Sequence, residues 1–271
     1  TDAMKQPRRK FRHHLTRLSL MLLVLIAISL LIWQLPPLRL HTMEVSGLRR
    51  LSEAEIIESS GLISGQHLFH GLGGSLTHLR QLRYQSVEAA VAALPEVESC
   101  RVTLHYPGQI DLEVAERVEV AYLAIPDGSV MIDKEGIAIR IWREVPEDIP
   151  LIEGVHLTSL QLGAPLTAHV PAALNSAITM MGAIIEADRD SRTPQQLLSS
   201  VKSIRPLGHQ RIYLTLVLPK TAQEVTVLAE ISQQLSEDMI WLRFAIEQGV
   251  LENRGKGILD LTGGRKTFKP D

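Results

Sequence analysis

A single cysteine, Cys100, stands in 271 residues, so the chain can form no internal disulfide. Aromatic residues are almost as scarce, at 4% of the chain, which argues against a stacking platform for sugars or single-stranded nucleic acid. A basic surface is missing too. The formal net charge is −2, and the positive charge gathers at one end. Residues 1–17 hold Lys5, Arg8, Arg9, Lys10, Arg12 and Arg17 against Asp2, a local +5 that leaves −7 for everything after them. No nucleic-acid partner is expected there. What remains, 45% apolar and 21% charged, suits a folded chain with room for one large or two ordinary domains.

The longest apolar run follows the basic tail. Leu18 to Leu35 carries no charge, and eighteen residues at about 1.5 Å each span roughly 27 Å, close to a hydrocarbon core of about 30 Å. Trp33 stands where an interfacial indole is favoured, and Pro36-Pro37 stops a helix. A cleaved signal peptide would have a shorter core and a small-x-small site, whereas WQLPPLRL follows here. The pattern predicts an uncleaved transmembrane helix over 18–35 that anchors the chain in membrane lipid. With six cations before the span and Arg39 alone close behind, residues 1–17 are expected in the cytoplasm and residues from 38 on outside.

The exported part begins with LRLHTMEVSG, read as a strand that turns at Ser46-Gly47. Ser52 and Glu55 have capping-box spacing, so a short helix follows and ends at Gly61. A loop, ISGQHLFHGLGGS, leads to a second helix over Val87 to Leu94, stopped by Pro95. Then LPEVESCRVTLHYPGQIDLEVAER alternates with period two on both sides of Pro107-Gly108, the mark of two half-buried strands joined by a tight turn. Same-face pairing sets Tyr106 against Ile110, Leu104 against Leu112 and Val102 against Val114, and brings His105 opposite Asp111. The expected core of this unit is Ile56, Val91, Leu94, Cys100, Val102, Leu104, Leu112 and Val114.

This β-α-α-β-β order in about 80 residues, directly behind one membrane span, resembles the polypeptide-transport-associated (POTRA) domain. EVSGLRRLSEAEIIESSGLISGQHLF and LPEVESCRVTLHYPGQIDLEVAER are similar to the opening and hairpin of the bacterial cell-division family FtsQ/DivIB. Glu116-Arg117, Ala121 and DGSVMIDKEGIAI match that family's run into its second domain, while Leu48, His67 and Glu119 depart from its pattern. The resemblance is strong over 38–154 and weak beyond, until ILDLTGG. It implies an α+β protein: an N-terminal transmembrane helix, a POTRA domain over 38–116, and a mixed α/β domain over 117–262. That second domain carries a twisted, antiparallel-rich sheet and a helical insertion, and a polar tail follows over 263–271. In that domain Pro171 to about Asp188 is an amphipathic helix, Thr193-Pro194-Gln195-Gln196 starts another, RIYLTLVL and EVTVL are strands, and Ser236 to Gln248 is a helix ended by Gly249.

Groups that could carry chemistry read as structural. His67, His70 and His78 form a cluster without a cysteine or carboxylate inside it, so a solvated loop is the better reading than a metal site. GLGGS at 71–75 lacks a phosphate-loop lysine and a preceding strand. His105 and Asp111 share an outward face with no nucleophile, Cys100 is read as a packed thiol, and Glu116-Arg117 as a solvated or ion-paired strand end. No enzyme, cofactor or metal is expected. The resemblance implies instead a non-enzymatic scaffold of the division machinery in the bacterial plasma membrane, at the septum. Its implied partners are bitopic coiled-coil division proteins (FtsB or DivIC, with FtsL) and other members of that machinery. The matching partner-binding segment is Gly257, Ile258, Leu259, Asp260 and Leu261, expected as the last strand and near an exposed sheet edge. A polypeptide-transport component is the alternative, disfavoured by a single POTRA copy. An exported wall hydrolase would need a carboxylate pair or a nucleophile–base set.

Overall fold

The computed structural model describes residues 18–28, 36–144, 149–189, 196–252, 254–263 and 265–270. Residues 18–28 are helical with exposed apolar side chains, and the rest of the expected span, 29–35, lies outside the described residues. Among the described residues no helix is long and apolar enough to cross a membrane. The chain divides into two compact units, the first ending at Glu116 and the second running on from Arg117, with Leu94–Glu96 grouped with the second.

In the first unit, β1 (Thr42–Ser46) leads to α1 (Glu53–Ser60). Ser52 and Glu55 close the capping box in both directions, and Gly61 ends the helix in the left-handed region at φ 65°. A short extra helix, α2 (Leu76–Arg80), comes next, capped by Ser75, between the expected loop and the second expected helix. It precedes α3 (Gln85–Val91), which is buried through Val87, Glu88 and Val91. The hairpin β2 (Val97–His105) and β3 (Gln109–Glu116) completes a sheet of order β1-β3-β2, with β1 parallel to β3 and β2 antiparallel to it.

The hairpin keeps the expected faces but not the expected pairs. Leu104 faces Ile110, Val102 faces Leu112 and Cys100 faces Val114, two residues off the alignment read from parity. The loop keeps three residues but moves back by one, to Tyr106-Pro107-Gly108 between His105 and Gln109. The Tyr106-Pro107 peptide is cis. Gly108 takes φ 73°, and its carbonyl accepts the N–H groups of His41 and Thr42 at 2.7 and 3.1 Å. The turn is thus tied to β1, and Tyr106, expected inward, is exposed. A shift by two leaves side-chain parity unchanged, so alternation alone does not separate the two registers. Ile56, Val91, Val102, Leu104, Leu112 and Val114 are buried as expected, whereas Leu94 and Cys100 are only half-buried.

The second unit opens with β4 (Ala121–Ile125), β5 (Gly128–Ile132) and β6 (Ala138–Trp142), then the short β7 (Leu151–Ile152), β8 (Leu157–Ser159) and β9 (Thr167–Ala168). The helix α4 (Pro171–Arg189) follows, with proline at its first position, where the missing N–H costs nothing. The second insertion helix expected from Thr193 starts outside the described residues. From 196 on there is only a 3-10 turn, Leu198–Ser200, before β10 (Val201–Leu207). The region 156–206 is therefore partly strand, because Val201, Ser203 and Ile204 are needed inside the sheet. β11 (Arg211–Val217), β12 (Glu224–Glu230), α5 (Leu235–Glu247), β13 (Gly257–Asp260) and β14 (Thr267–Pro270) complete the unit.

Nine strands form one sheet of order β14-β13-β12-β11-β10-β7-β4-β5-β6. In β11 and β12 every second residue is buried, and Ile212, Leu214, Val225 and Val227 share a core with Met181 and Ile184 of α4 and Met239 and Leu242 of α5. Each such side chain, fully buried, contributes about 1.5–3 kcal/mol.

Candidate functional site

The expected binding segment sits at one end of the nine-stranded sheet. Leu259 and Leu261 are buried, while Ile258 and Asp260 lie half-buried on the other face. β13 runs parallel to β12, and the Leu261 N–H continues the ladder onto the Leu228 carbonyl at 2.8 Å. It is not the edge, however. Residues 263–271, expected as a polar tail, contain β14, which pairs antiparallel with β13 from Gly257 opposite Pro270 to Asp260 opposite Thr267. The strand expected to be open is therefore covered on both sides.

Local chemistry explains why the chain doubles back. The Asp260 carboxylate accepts the Thr262 hydroxyl at 2.7 Å and the Thr262 N–H at 3.0 Å, which starts the turn. Those two hydrogen bonds hold the Asp260 carboxyl below its ordinary range. Gly257 admits the returning strand, because a Cβ there would stand 2.8 Å from the Phe268 ring and 2.9 Å from the Pro270 Cα. Phe268 packs on the core, with the Arg254 guanidinium 5.9 Å from its ring centre. Lys266 pairs with Asp238 at 3.1 Å and lies over the Trp241 ring at 4.3 Å, and Lys269 is 3.9 Å from Asp260. The inward Phe268 between outward Thr267 and Lys269 was the one signal of β14 in the sequence, and a four-residue strand is too short for alternation to stand out.

The two ends of this sheet differ. β6 is partly closed, since the Ala138 N–H donates to the Ala164 carbonyl and the Gly163 N–H to the Ala138 carbonyl, at 3.0 and 2.8 Å. Among the described residues no strand pairs with the far side of β14. A bare strand edge carries unpaired backbone groups, the feature by which extended chains add to a sheet.

The other singled-out groups are held by neighbours. His78 binds Ser75 through Nδ1 at 2.6 Å and Glu88 through Nε2 at 3.2 Å. Among the described residues no group of His, Cys, Asp and Glu is arranged to hold a metal. His105 faces Gln109 rather than Asp111, yet its Nδ1 reaches the Asp111 carboxylate diagonally at 2.5 Å. Burial pushes the Cys100 thiol up to about 11, so it stays protonated at neutral pH. Glu116 accepts the backbone N–H groups of Arg49, Arg50 and Leu51 at 2.7 to 3.1 Å, and Arg117 donates to the buried Asp133 carboxylate at 2.6 Å.

Comparison with known proteins fits this architecture. Residues 38–117 match the family model described as "POTRA domain, FtsQ-type". Cell division protein FtsQ of Mycolicibacterium smegmatis is 27% identical over 119 residues, 44% of this chain and 32% of the relative. The protein of the same name from Corynebacterium glutamicum is 31% identical over 121 residues, 44% of this chain and 49% of the relative. Residues 38–117 thus match the FtsQ type of POTRA domain, and the relatives that the chain is similar to are cell division proteins. A third FtsQ, from Myxococcus fulvus, is 29% identical over 123 residues, 44% of this chain and 38% of the relative. The match thus spans less than half the length of each of these curated relatives.

Proposed function

We propose that this chain is a member of the FtsQ/DivIB family and a non-catalytic, single-span membrane scaffold of bacterial cell division. In this reading residues 18–35 anchor the chain with the basic tail in the cytoplasm, 38–116 form an independent POTRA domain, and the remainder recruits partners outside the membrane. The partners are bitopic coiled-coil division proteins of the FtsB or DivIC and FtsL kind, gathered at the septum. The observation that carries the reading is the open outer edge of β14 at the end of a nine-stranded sheet, in a chain similar to cell-division proteins. Gly257, Ile258, Leu259, Asp260 and Leu261 then act as the bed that holds β14, and the docking strand is Thr267–Pro270.

The test is co-purification of the coiled-coil partners with the full chain carrying Lys269→Pro or Thr267→Pro. Proline removes a donor, so binding should fall at least tenfold in a variant whose melting point is unchanged. Full binding by correctly folded variants sinks β14 as the docking strand. A reporter fused after Asp271 checks the orientation, and cytoplasmic activity of that fusion sinks the scaffold reading.

A further inference from the structure

Between Glu58 and Glu88 the chain contains no Asp or Glu, while His67, His70, His78, Arg80 and Arg83 fall in the same stretch. That stretch also concentrates exposed apolar side chains. Ile63, Phe69, Leu76, Leu79 and Leu82 are exposed, Leu76 at 87% and Ile63 at 69%. Among the described residues of the first unit after Pro36, Tyr106 is the only other large apolar side chain so exposed. Single exposed leucines are ordinary, but five within twenty residues on an acid-free segment are not.

The segment is held firmly. The Gly73 N–H donates to the Arg83 carbonyl and the Gln85 N–H to the Gly73 carbonyl, at 2.7 and 3.0 Å. Leu82 sits at φ 55° with its carbonyl accepting the Leu104 N–H at 2.9 Å, and Arg83 is clamped by Glu88 at 2.7 and 2.8 Å. The segment is also bonded to the residues that follow the expected anchor. The Leu40 N–H donates to the Gln66 carbonyl, the Gly65 N–H to the Leu40 carbonyl and the Leu68 N–H to the Leu38 carbonyl, at 2.7 to 2.8 Å. Leu38 follows Leu35 by three residues, a reach of about 10 Å at most. Ile63 and Phe69 flank the bonded residues, so they lie close to where the chain would leave the bilayer.

We propose that residues 63–82 form a membrane-contacting face of the first unit, with Ile63, Phe69 and Leu79 entering the headgroup boundary of an anionic bilayer and Arg80 contacting its phosphates. This rests on the reading of 18–35 as the anchor. Apolar side chains beside Arg80, on a stretch free of acids, match a negatively charged lipid surface in both polarity and sign. A membrane-tethered unit needs only modest affinity for this, because the anchor already confines it to the surface. The contact would fix the orientation of the POTRA unit on the membrane.

The test uses the full chain with Cys100→Ser, reconstituted in vesicles of phosphatidylethanolamine and phosphatidylglycerol. A nitroxide is placed by Phe69→Cys, by Leu79→Cys, by Met21→Cys as lipid reference and by Ser99→Cys as water reference. The oxygen-to-nickel accessibility ratio at Phe69 and Leu79 should be severalfold that at Ser99, and should drop in phosphatidylcholine vesicles. A lipid-like ratio at Met21 with water-like ratios at both test sites overturns the membrane face and leaves the anchor standing. Protection from both reagents at the test sites means a protein partner covers them and also overturns it. A water-like ratio at Met21 overturns the anchor reading, and this proposal with it. An equal ratio in both lipids overturns the assignment to anionic lipid.

Discussion

The end strand β2 of one sheet and the end strand β14 of the other are finished in opposite ways. In the three-stranded sheet, the outer side of β2 is closed by the chain itself. Tyr84 donates its N–H to the Val102 carbonyl, Leu104 donates to Leu82, and Glu88 accepts the Val102 N–H at 2.9 Å. In the nine-stranded sheet, the end strand β14 is four residues long, carries Lys269 and closes on Pro270, and among the described residues no strand lies beyond it. Closing an edge with a buried carboxylate requires a full set of partners, and Glu88 has them in Arg83, His78 and Val102. Leaving an edge open requires only that it be short and charged enough to resist indiscriminate pairing. A closed edge leaves the sheet no backbone groups to offer, whereas an open edge leaves a row of them unpaired.

This contrast can be broken most severely at Val102. Val102→Asp puts an unpaired charge at a fully buried position of the closed edge, a cost of several kcal/mol against a total stability of about 5–15 kcal/mol. The first unit should lose its cooperative melt while α4 and the nine-stranded sheet keep theirs. A melt unchanged from the parent would show that the inward face of β2 is misassigned.

A smaller effect is expected at the open edge. Gly257→Ala forces a Cβ against the backbone of β14, an overpacking cost of about 1–3 kcal/mol, and should loosen Thr267–Pro270 from the sheet. Hydrogen exchange at residues 267–269 should accelerate, and partner binding should weaken with it. Unchanged exchange in this variant would mean that the glycine is dispensable and the strand is held by Phe268 and Lys266 alone.

The mildest test is pH. Burial pushes the Glu88 carboxyl up, but the Arg83 hydrogen bonds, the Val102 N–H and the charges of Arg83 and His78 outweigh it and hold the group below its ordinary value of 4.5. Glu116 behaves alike, with burial outweighed by the N–H groups of Arg49, Arg50 and Leu51. A depressed carboxyl contributes stability that is fully present above about pH 4.5 and is lost as pH falls through the lower folded value. The first unit should therefore destabilise below that pH, and Glu88→Gln should flatten the slope. A slope equal to the parent's would remove Glu88 from the account of acid sensitivity.

Much of this was legible in the residues. The capping box at Ser52 and Glu55, the inward set Val102, Leu104, Leu112 and Val114, and α4 over Pro171–Arg189 are local or periodic signals, and they appear as expected. The misjudged features share a different origin. The hairpin slid by two because Gly108 bonds to His41 and Thr42, more than sixty residues upstream. Leu94 and Cys100 have the parity of core residues and are nevertheless half-buried, since depth depends on what packs above them.

The candidate site shows the same division. That Gly257–Leu261 holds a short strand was legible in the residue order, because hydrophobic alternation acts within one segment, and the structure places it at Gly257–Asp260 with Leu259 inward. Whether that strand forms the sheet edge was decided by the tertiary structure, through the Asp260–Thr262 turn, the room above Gly257 and the hold of Asp238 and Trp241 on Lys266. Periodicity reports which way a side chain faces. Which strand lies beside which depends on distant contacts closing together, and no single stretch of sequence carries that information.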